Sequence, residues 1–190
     1  MERIVQQIRR LTIDEYIKYL TQQYHFALHI ESIMRLAAET YIKNQYTFGE
    51  DIPNFLMHHA QDEAGHHIWA YNDLNKLGAT PIGPYNLATS ELLDKLIIVA
   101  QGSFLWGVLG LSEIVENFAP TIEIEDIVPQ EAIDINADTF IRRHIKVDVR
   151  HAKEINDCIK TFSEGKKMHF PYYRQIFTQL YQTFLENSIQ

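Results

Sequence analysis

Cysteine, glycine and proline are all scarce in this sequence, and each shortage excludes a class of protein. Cys158 is the only cysteine among the 190 residues, which excludes an intrachain disulfide and favours a reducing compartment. The eight glycines and six prolines lie outside any repeat or low-complexity tract, so a largely disordered chain is excluded. The stretch MERIVQQIRRLTIDEY is too charged for a signal peptide. We therefore expect one folded, cytoplasmic domain spanning residues 1–190.

Positive charge is scarce as well, which bears on the partners of the protein. The formal net charge is -8, and the basic clusters IRRHIK and EGKK are both short. Nucleic acids and anionic membranes bind basic surfaces, so we expect neither as a partner. The expected partner is a small-molecule substrate, and a homodimer is one of the assemblies that the sequence leaves open.

One apolar stretch approaches the length of a membrane span. Residues 96–112 (LIIVAQGSFLWGVLGLS) carry no charge over 17 residues, near the lower limit for a transmembrane helix. Gln101, Ser103 and three glycines dilute its hydrophobicity, and Glu113 and Glu116 follow at once. We interpret the stretch as a helix buried on several sides of a bundle, without a membrane role.

Apolar residues recur at helical spacing along almost the whole chain, whereas runs of β-branched residues between turn signals are lacking. Turn and cap signals divide the chain into a short N-terminal helix and five long ones. The long helices are predicted at about 13–44, from the Asp51 cap with Pro53 in its first turn to Gly78, from a Thr89 or Ser90 cap to Pro120, at about 131–163 after Pro129, and from there to the C-terminus. The predicted fold class is therefore an all-α helical bundle.

The fourth predicted helix has polar residues in the middle of its apolar stripe. His144, Asp148 and His151 lie at positions i, i+4 and i+7, with apolar residues on the same face before and after them, the last being Phe162. The opposite face already supplies a solvated side, made of Arg142, Lys146, Arg150, Lys153 and Asp157. The three residues are therefore predicted to point inward.

The second predicted helix repeats this pattern. A stripe that begins at Leu56 and ends at Leu77 contains His59, Glu63 and His66 at its centre. Glu63-x-x-His66 has i, i+3 spacing, which puts a carboxylate and an imidazole side by side. Asp148-x-x-His151 on the fourth helix has the same form.

Two more helices add inward carboxylates, namely Glu31 on the first and Glu113 and Glu116 on the third. Four helices that offer acids, two of them with acid-x-x-His pairs, form the ligand arrangement by which helical bundles hold two iron or manganese ions. Several buried acids need compensating cations, because the desolvation penalty of even one buried charge is on the order of several kcal/mol. For Glu31 alone, a hydrogen-bonded core residue is the favoured interpretation, and Glu113 and Glu116 are near enough to a helix end to reach solvent.

The remaining histidines have other interpretations. His25 and His29 lack acidic partners at matching spacing and are interpreted as surface or pocket residues. His58, Asp62 and His67 flank the second-helix pair and are candidates for orienting the ligands from outside.

The motif His144-x3-Asp148-x2-His151 resembles the signature of haem-oxygenase-like diiron oxidases and oxygenases. The segment NQYTFGEDIPNFLMHHAQDEAGHHIWAYNDLNKLG is similar to the corresponding part of that superfamily, and the similarity spans roughly residues 20–160. It implies a haem-oxygenase-like bundle that needs no haem. It also implies two iron ions, with manganese as the alternative, and O2 as co-substrate for oxidation of an amino-acid, amine or fatty-acid-like molecule.

The resemblance also implies which residues hold the metals. One iron would be held by Glu63, His66 and His144, and the other by Glu113, Asp148 and His151. Glu31 is a candidate bridge or additional ligand. Some members place an acid seven residues before the second-helix histidine, where this sequence has His59, so His59 is a further candidate. A ferritin-like four-helix bundle with similar metal chemistry is the competing fold.

Two functions of other classes compete with the diiron oxidase. The first is a metal-free enzyme of the same fold, either a cofactorless oxidase or a thiaminase-type hydrolase, for which Cys158 is the one candidate nucleophile. The second is a non-catalytic helical interaction protein whose buried polar residues form a hydrogen-bonded network. A pocket lined by aromatic residues would indicate a substrate with an apolar body, and the candidates are Tyr24, Phe26, Trp69, Phe104, Trp106 and Phe140.

Overall fold

The computed structural model describes residues 11–44, 51–80, 82–102, 105–161 and 170–190. Within these ranges the chain forms helices and no β-strand, which confirms the predicted all-α class. The longer helices are α1 (Ile13–Lys43), α2 (Asp51–Glu63), α3 (His66–Lys76), α4 (Leu87–Gln101), α5 (Leu105–Phe118), α8 (Thr139–Lys160) and α9 (Phe170–Ser188). A 3₁₀ turn (Ala119–Thr121) and the short helices α6 (Ile124–Ile127) and α7 (Gln130–Asp134) connect α5 to α8.

Helix α1 is the central helix of the bundle. It begins with a capping box, in which the Glu15 backbone N–H donates to Thr12 Oγ1 and the Thr12 N–H donates to the Glu15 carboxylate. It packs against α2, α3, α4, α5 and α9, and it buries side chains along its whole length, Tyr16 and Leu20 completely. The Tyr16 hydroxyl donates to the Ala137 carbonyl at 3.0 Å, which ties α1 to the chain just before α8.

The helix predicted over 51–78 is interrupted in the structure. Helix α2 ends at Glu63 and α3 begins at His66, because Gly65 between them has φ 85, a left-handed conformation that glycine adopts without steric cost. The interruption separates the two residues of the Glu63-x-x-His66 pair into different helices. The predicted end of the segment is confirmed, since Gly78 follows α3 with φ 73.

Two other predicted boundaries are wrong. The helix predicted from Thr89 or Ser90 to Pro120 is two helices, α4 and α5, and its cap is Asn86, whose Oδ1 accepts from the Thr89 N–H at 2.9 Å. Helix α8 begins at Thr139 rather than near 131, after Asn136 turns the chain with φ 56. Asp73 of α3 accepts from the Phe140 N–H at 2.7 Å, so a tertiary contact fixes where α8 begins.

The contact between α5 and α9 is unusually close at one glycine. A Cβ placed on Gly110 would lie 3.2 Å from the Arg174 backbone nitrogen and 3.3 Å from its Cα. The absence of a side chain at Gly110 therefore lets the α9 backbone approach α5 and fixes which face of α5 is turned towards α9.

Some predictions fall on parts of the chain outside the described ones. They concern the short N-terminal helix, Ser103, Phe104 and Phe162, together with the capping side chain of Asp51. Along the described part of the chain, no helix combines the length and the apolar character needed to cross a membrane.

Candidate metal centre

Helix α8 turns its polar stripe inward, as its periodicity predicts. Asp148 and His151 are 2% and 0% exposed, and His144, one turn earlier, is half-buried. The predicted solvated face is confirmed, because all of its members are exposed, namely Arg142, Lys146, Arg150, Lys153 and Asp157. The core around α8 therefore receives two imidazoles and one carboxyl group from a single helix.

Helices α2, α3 and α5 deliver the groups that meet them. His59 and Glu63 come from α2, His66 from the first turn of α3 and Glu116 from the last turn of α5. All four are buried, with exposures between 1% and 7%. Buried ionisable groups need a compensating partner, so their convergence marks a site rather than an accident of packing.

We call His59, Glu63, Glu116 and His151 the inner cluster. Their ligand-type atoms all lie within 4.8 Å of one another. His151 Nδ1 is 3.4 Å from Glu63 Oε1 and 3.3 Å from Glu116 Oε2, and His59 Nε2 donates to Glu116 Oε1 at 3.1 Å. This donor set of two imidazoles and two carboxylates suits iron, manganese or zinc.

Several of these donor atoms lack a hydrogen-bond partner among the described residues. They are Glu63 Oε1, Glu116 Oε2, His151 Nδ1 and His59 Nδ1. The first three face one another at 3.3–3.4 Å, and an ion with bonds of about 2.1 Å would hold neighbouring ligand atoms about 3.0–3.4 Å apart. These three atoms are paired by charge but make no hydrogen bond of good geometry, so part of their desolvation cost is not recovered. The residues therefore fit a metal ion, which would satisfy all three atoms.

The inner cluster contains more negative charge than positive charge. Burial disfavours the cationic form of His151, but the Glu116 and Glu63 carboxylates outweigh it and raise the pKa of His151 to about 10. Burial likewise opposes ionisation of Glu63 and Glu116, yet their histidine contacts outweigh it and lower both pKa values. Two carboxylates thus face one imidazolium, and a divalent cation that replaced the His151 proton would balance the charge of the two carboxylates.

Asp148 lies beside the inner cluster without belonging to it. Burial, followed by the nearby Glu116 and Glu63 carboxylates, raises the pKa of Asp148 to about 9. Asp148 therefore carries a proton at neutral pH in the metal-free protein. A cation bound next to it would favour release of that proton.

A second group, which we call the outer cluster, consists of Glu63, His66 and His144. His66 Nδ1 donates to Glu63 Oε2 at 2.9 Å, and His144 Nδ1 lies 2.8 Å from the Phe140 carbonyl. A carbonyl can only accept, so Nδ1 of His144 bears its proton and Nε2 keeps a lone pair for a ligand. Burial lowers the pKa of His144 and so favours the neutral form that binds metals.

The two clusters share Glu63, whose two oxygens face in different directions. Oε1 lies in the inner cluster beside His151, and Oε2 binds His66 in the outer cluster. A carboxylate that presents one oxygen to each of two groups is the arrangement expected of a bridge between two ions.

The structure separates two of the candidate ligands from both clusters. Glu113 is bound by Arg174 of α9, whose Nε and Nη2 donate to its carboxylate at 2.7 and 3.2 Å. Glu31 accepts from Arg35 at 3.0 Å, and both side chains are about one-third exposed. Their carboxylates are therefore engaged in ion pairs outside both clusters. Glu116 and His59 supply a carboxylate and an imidazole to the inner cluster instead.

Burial along α5 distinguishes Glu116 from Glu113. Leu109, Ser112 and Glu116 follow one another at i, i+3 and i+7 and are all buried, with 4% exposure at most. Glu113 instead follows Gly110 by three residues, and Gly110 faces α9. The buried hydroxyl of Ser112, one turn before Glu116, indicates the inward polar face.

Asp62 occupies a supporting position behind His151. Its Oδ2 lies 3.5 Å from His151 Nε2, and Arg150 donates to the same oxygen at 3.0 Å. Arg150 Nη2 also lies 3.2 Å from His151 Nε2, and because a guanidinium can only donate, this contact favours a proton on Nδ1, the atom that faces Glu63 and Glu116. Asp62 therefore adds negative charge beside the inner cluster and holds Arg150 in place. His58 and His67, the other two candidates for this role, lie 4.0 Å from Asp62 and against the Tyr24 ring, respectively.

Comparisons with known proteins identify the fold but assign no activity. No protein-family model matches the chain, and no curated protein matches it. A solved structure, described as a domain of unknown function with a heme oxygenase-like fold from Shewanella denitrificans OS217, superposes with a TM-score of 0.75 at 19% identity. The match covers 97% of this chain and 82% of the other. The chain thus has the predicted haem-oxygenase-like fold rather than the ferritin-like alternative.

Proposed function

We propose that this protein is a non-haem diiron oxidase or oxygenase that uses O2 to oxidise a small organic substrate. The observation that carries the proposal is the convergence of three buried atoms, Glu63 Oε1, Glu116 Oε2 and His151 Nδ1, which are paired by charge at 3.3–3.4 Å without a hydrogen bond of good geometry. A purely structural network would be expected to join its buried groups by well-formed hydrogen bonds. This argues against the non-catalytic interaction protein.

The ligand sets follow from the two clusters. The inner ion would be held by His59, Glu63, Glu116 and His151, and the outer ion by Glu63, His66 and His144. The outer set has two histidines and one carboxylate, the donors typical of non-haem Fe(II) oxygenases. Manganese suits the same donors and is the alternative metal.

Bound as Fe(II), the pair of ions would supply the electrons that O2 needs in order to oxidise an organic molecule. The chain's own residues have three tasks around them. Asp148 holds a proton on its carboxyl group beside Glu116, the shared Glu63 fixes the spacing of the two clusters, and an apolar cavity next to them limits the access of water.

The metal-free hydrolase is the weaker alternative in this fold. The cavity is lined by residues of α1, α5, α8 and α9 together with Glu63, Ile122 and Ile127, and Cys158 is not among them. A nucleophile must reach the substrate, so we propose that Cys158 is a packing residue. We also propose that residues 1–190 form one domain, that the protein is cytoplasmic, and that it acts on a small molecule without nucleic acid or membrane.

Metal analysis of the purified protein tests the proposal. After anaerobic incubation with micromolar Fe(II) and removal of unbound metal, we expect about two irons per chain, since dedicated sites of this kind bind more tightly than that. Exposure to O2 should then oxidise the bound iron and consume O2 in proportion to it. Less than about one iron per chain, together with thermal stability that is indifferent to chelator, would refute the proposal.

A further inference from the structure

A cavity adjoins both clusters and is closed on most sides by apolar residues. Glu63, Glu116, His144 and Asp148 form one part of its wall. Most of the rest is aliphatic or aromatic and includes Phe26, Ile30, Met34, Leu111, Phe140 and Ile141. The cavity has a volume of about 70 Å³, counted as the space open to the centre of a water-sized sphere. At about 10–15 Å³ per water, this is room for about five waters. A short alkyl chain or a single ring fits such a space.

The charge of the wall selects against charged ligands. Three carboxyl groups line the cavity, and no lysine or arginine does so among the described residues. A ligand carboxylate would lose its hydration without meeting a basic side chain. A ligand ammonium would have to compete with the metal ions for the same carboxylates. An uncharged ligand meets neither obstacle.

Among the described polar side chains that line the cavity and belong to neither cluster, that of Gln23 has an atom without a hydrogen-bond partner. Gln23 lines the cavity and is 6% exposed, and its amide nitrogen has no hydrogen-bond partner among the described residues. Its neighbour Gln22 differs, because its Oε1 accepts from both the Asn86 N–H and the Thr89 hydroxyl. Leaving a buried amide N–H without an acceptor is costly, so a ligand acceptor at this point would remove a cost present in the ligand-free protein.

We propose that this cavity binds an uncharged, mainly apolar molecule with one carbonyl-type acceptor, such as an amide or a ketone, and that the Gln23 amide donates to that acceptor. The apolar body of the ligand packs against the α1 and α5 side chains. The assignment of this ligand class to a substrate rests on the proposed function, whereas its binding does not require a metal.

Isothermal titration calorimetry with three probes of equal chain length tests the ligand class. Hexanamide, hexanoate and hexylammonium are titrated into the metal-free protein and into protein loaded with Mn(II). Hexanamide should bind at least tenfold more tightly than hexanoate in the metal-free protein, and at least tenfold more tightly than hexylammonium in the Mn(II)-loaded protein. Equal affinity in either of these two comparisons would overturn the proposal.

A substitution at Gln23 tests the hydrogen bond separately from the shape of the cavity. Gln23→Met removes the donor at nearly constant volume and should weaken hexanamide binding about tenfold, while benzene, which has no acceptor, binds equally well or better. Gln175→Met, at an exposed position of α9, is the matched control and should change neither affinity. Gln23→Leu provides the same test should the Met variant not fold. Equal weakening of hexanamide and benzene would exclude the role of Gln23.

The failure of this proposal can be told apart from the failure of the proposed function. A protein that binds no iron but prefers hexanamide would refute the diiron enzyme and retain the pocket. A protein that binds two irons but shows no preference among the probes would do the reverse.

Discussion

The inner and outer clusters share Glu63 but differ in what surrounds their remaining donor atoms. In the inner cluster, Glu116 Oε2 and His151 Nδ1 form an ion pair at 3.3 Å without a hydrogen bond of good geometry, and both residues are buried. In the outer cluster, His66 donates to Glu63 and His144 contacts a backbone carbonyl. His66 also stacks on the Trp69 ring, with centroids 4.0 Å apart.

This difference teaches how the same donor types acquire different metal affinities. A metal at the inner cluster must displace the His151 proton but gains four ligands, two of them carboxylates. A metal at the outer cluster must displace the hydrogen bond between His66 and Glu63 and gains three ligands, one of them a carboxylate. We therefore expect the inner cluster to bind the first ion and the outer cluster the second.

The largest expected effect comes from removing the residue that the clusters share. In Glu63→Gln the side-chain shape is kept, but the negative charge that faces both clusters is lost. We expect metal content to fall from about two irons per chain to less than one, measured by elemental analysis. Glu31→Gln, which alters a carboxylate bound only to Arg35, should retain both irons, and retention of both by the Glu63 variant would exclude a bridge.

The next effect separates the clusters from each other. In Glu116→Gln the inner ion loses a carboxylate, whereas the outer set is unchanged, so we expect about one iron per chain and weaker binding of the first equivalent. Glu113→Gln is the matched control three residues away. It should keep both irons and lose only the ion pair with Arg174, which is worth at most about 1 kcal/mol of unfolding free energy for so exposed an arginine.

The converse variant acts on the outer cluster. His144→Ala should remove the second equivalent of iron and leave the first, which anomalous scattering from crystals soaked anaerobically would locate between His59 and His151. If His144→Ala instead abolishes the tighter site, the proposed order of filling is wrong.

A smaller effect is the dependence of metal affinity on pH. The pKa of His151 is raised to about 10 in the metal-free protein, so the imidazole carries a proton at pH 7 that a metal must displace. The affinity of the inner cluster for Mn(II) should therefore rise about tenfold per pH unit between pH 6 and 8 for each proton displaced. Calorimetry in buffers of different ionisation enthalpy measures the released protons, and a pH-independent affinity would contradict the assignment of His151.

The smallest effect is expected from Asp62, which belongs to neither cluster. Asp62→Asn removes a negative charge 3.5 Å from His151 Nε2, and we expect the affinity of the inner cluster for a cation to fall about tenfold while metal content at saturation is unchanged. Asp157→Asn, at an exposed position of α8 where the aspartate pairs with Lys160, serves as the control. An Asp62 variant with unaltered affinity would leave Asp62 as no more than a surface partner of Arg150.

The sequence by itself determined the helical class and the inward direction of His144, Asp148 and His151. Both follow from periodicity, which is a local property, because residues three and four apart share a face of a helix wherever that helix is packed. The same reasoning found Glu63 and His66. Periodicity predicted the solvated face of α8, and motif spacing predicted the haem-oxygenase-like fold. Both predictions are confirmed.

Only the tertiary structure decided which carboxylate and which histidine complete the clusters. Glu113 and Glu116 are both near the end of α5, and the choice depends on how that helix is rotated. The close approach of α9 at Gly110 and the positive charge of Arg174 turn Glu113 outward, so Glu116 is directed to the core. The structure likewise placed His59, one of the candidates from the sequence, in the inner cluster, and it alone brought Gln23 to notice. Whether a buried atom has a partner depends on all the helices packed around it. The residue spacing along one helix carries no information about the other helices.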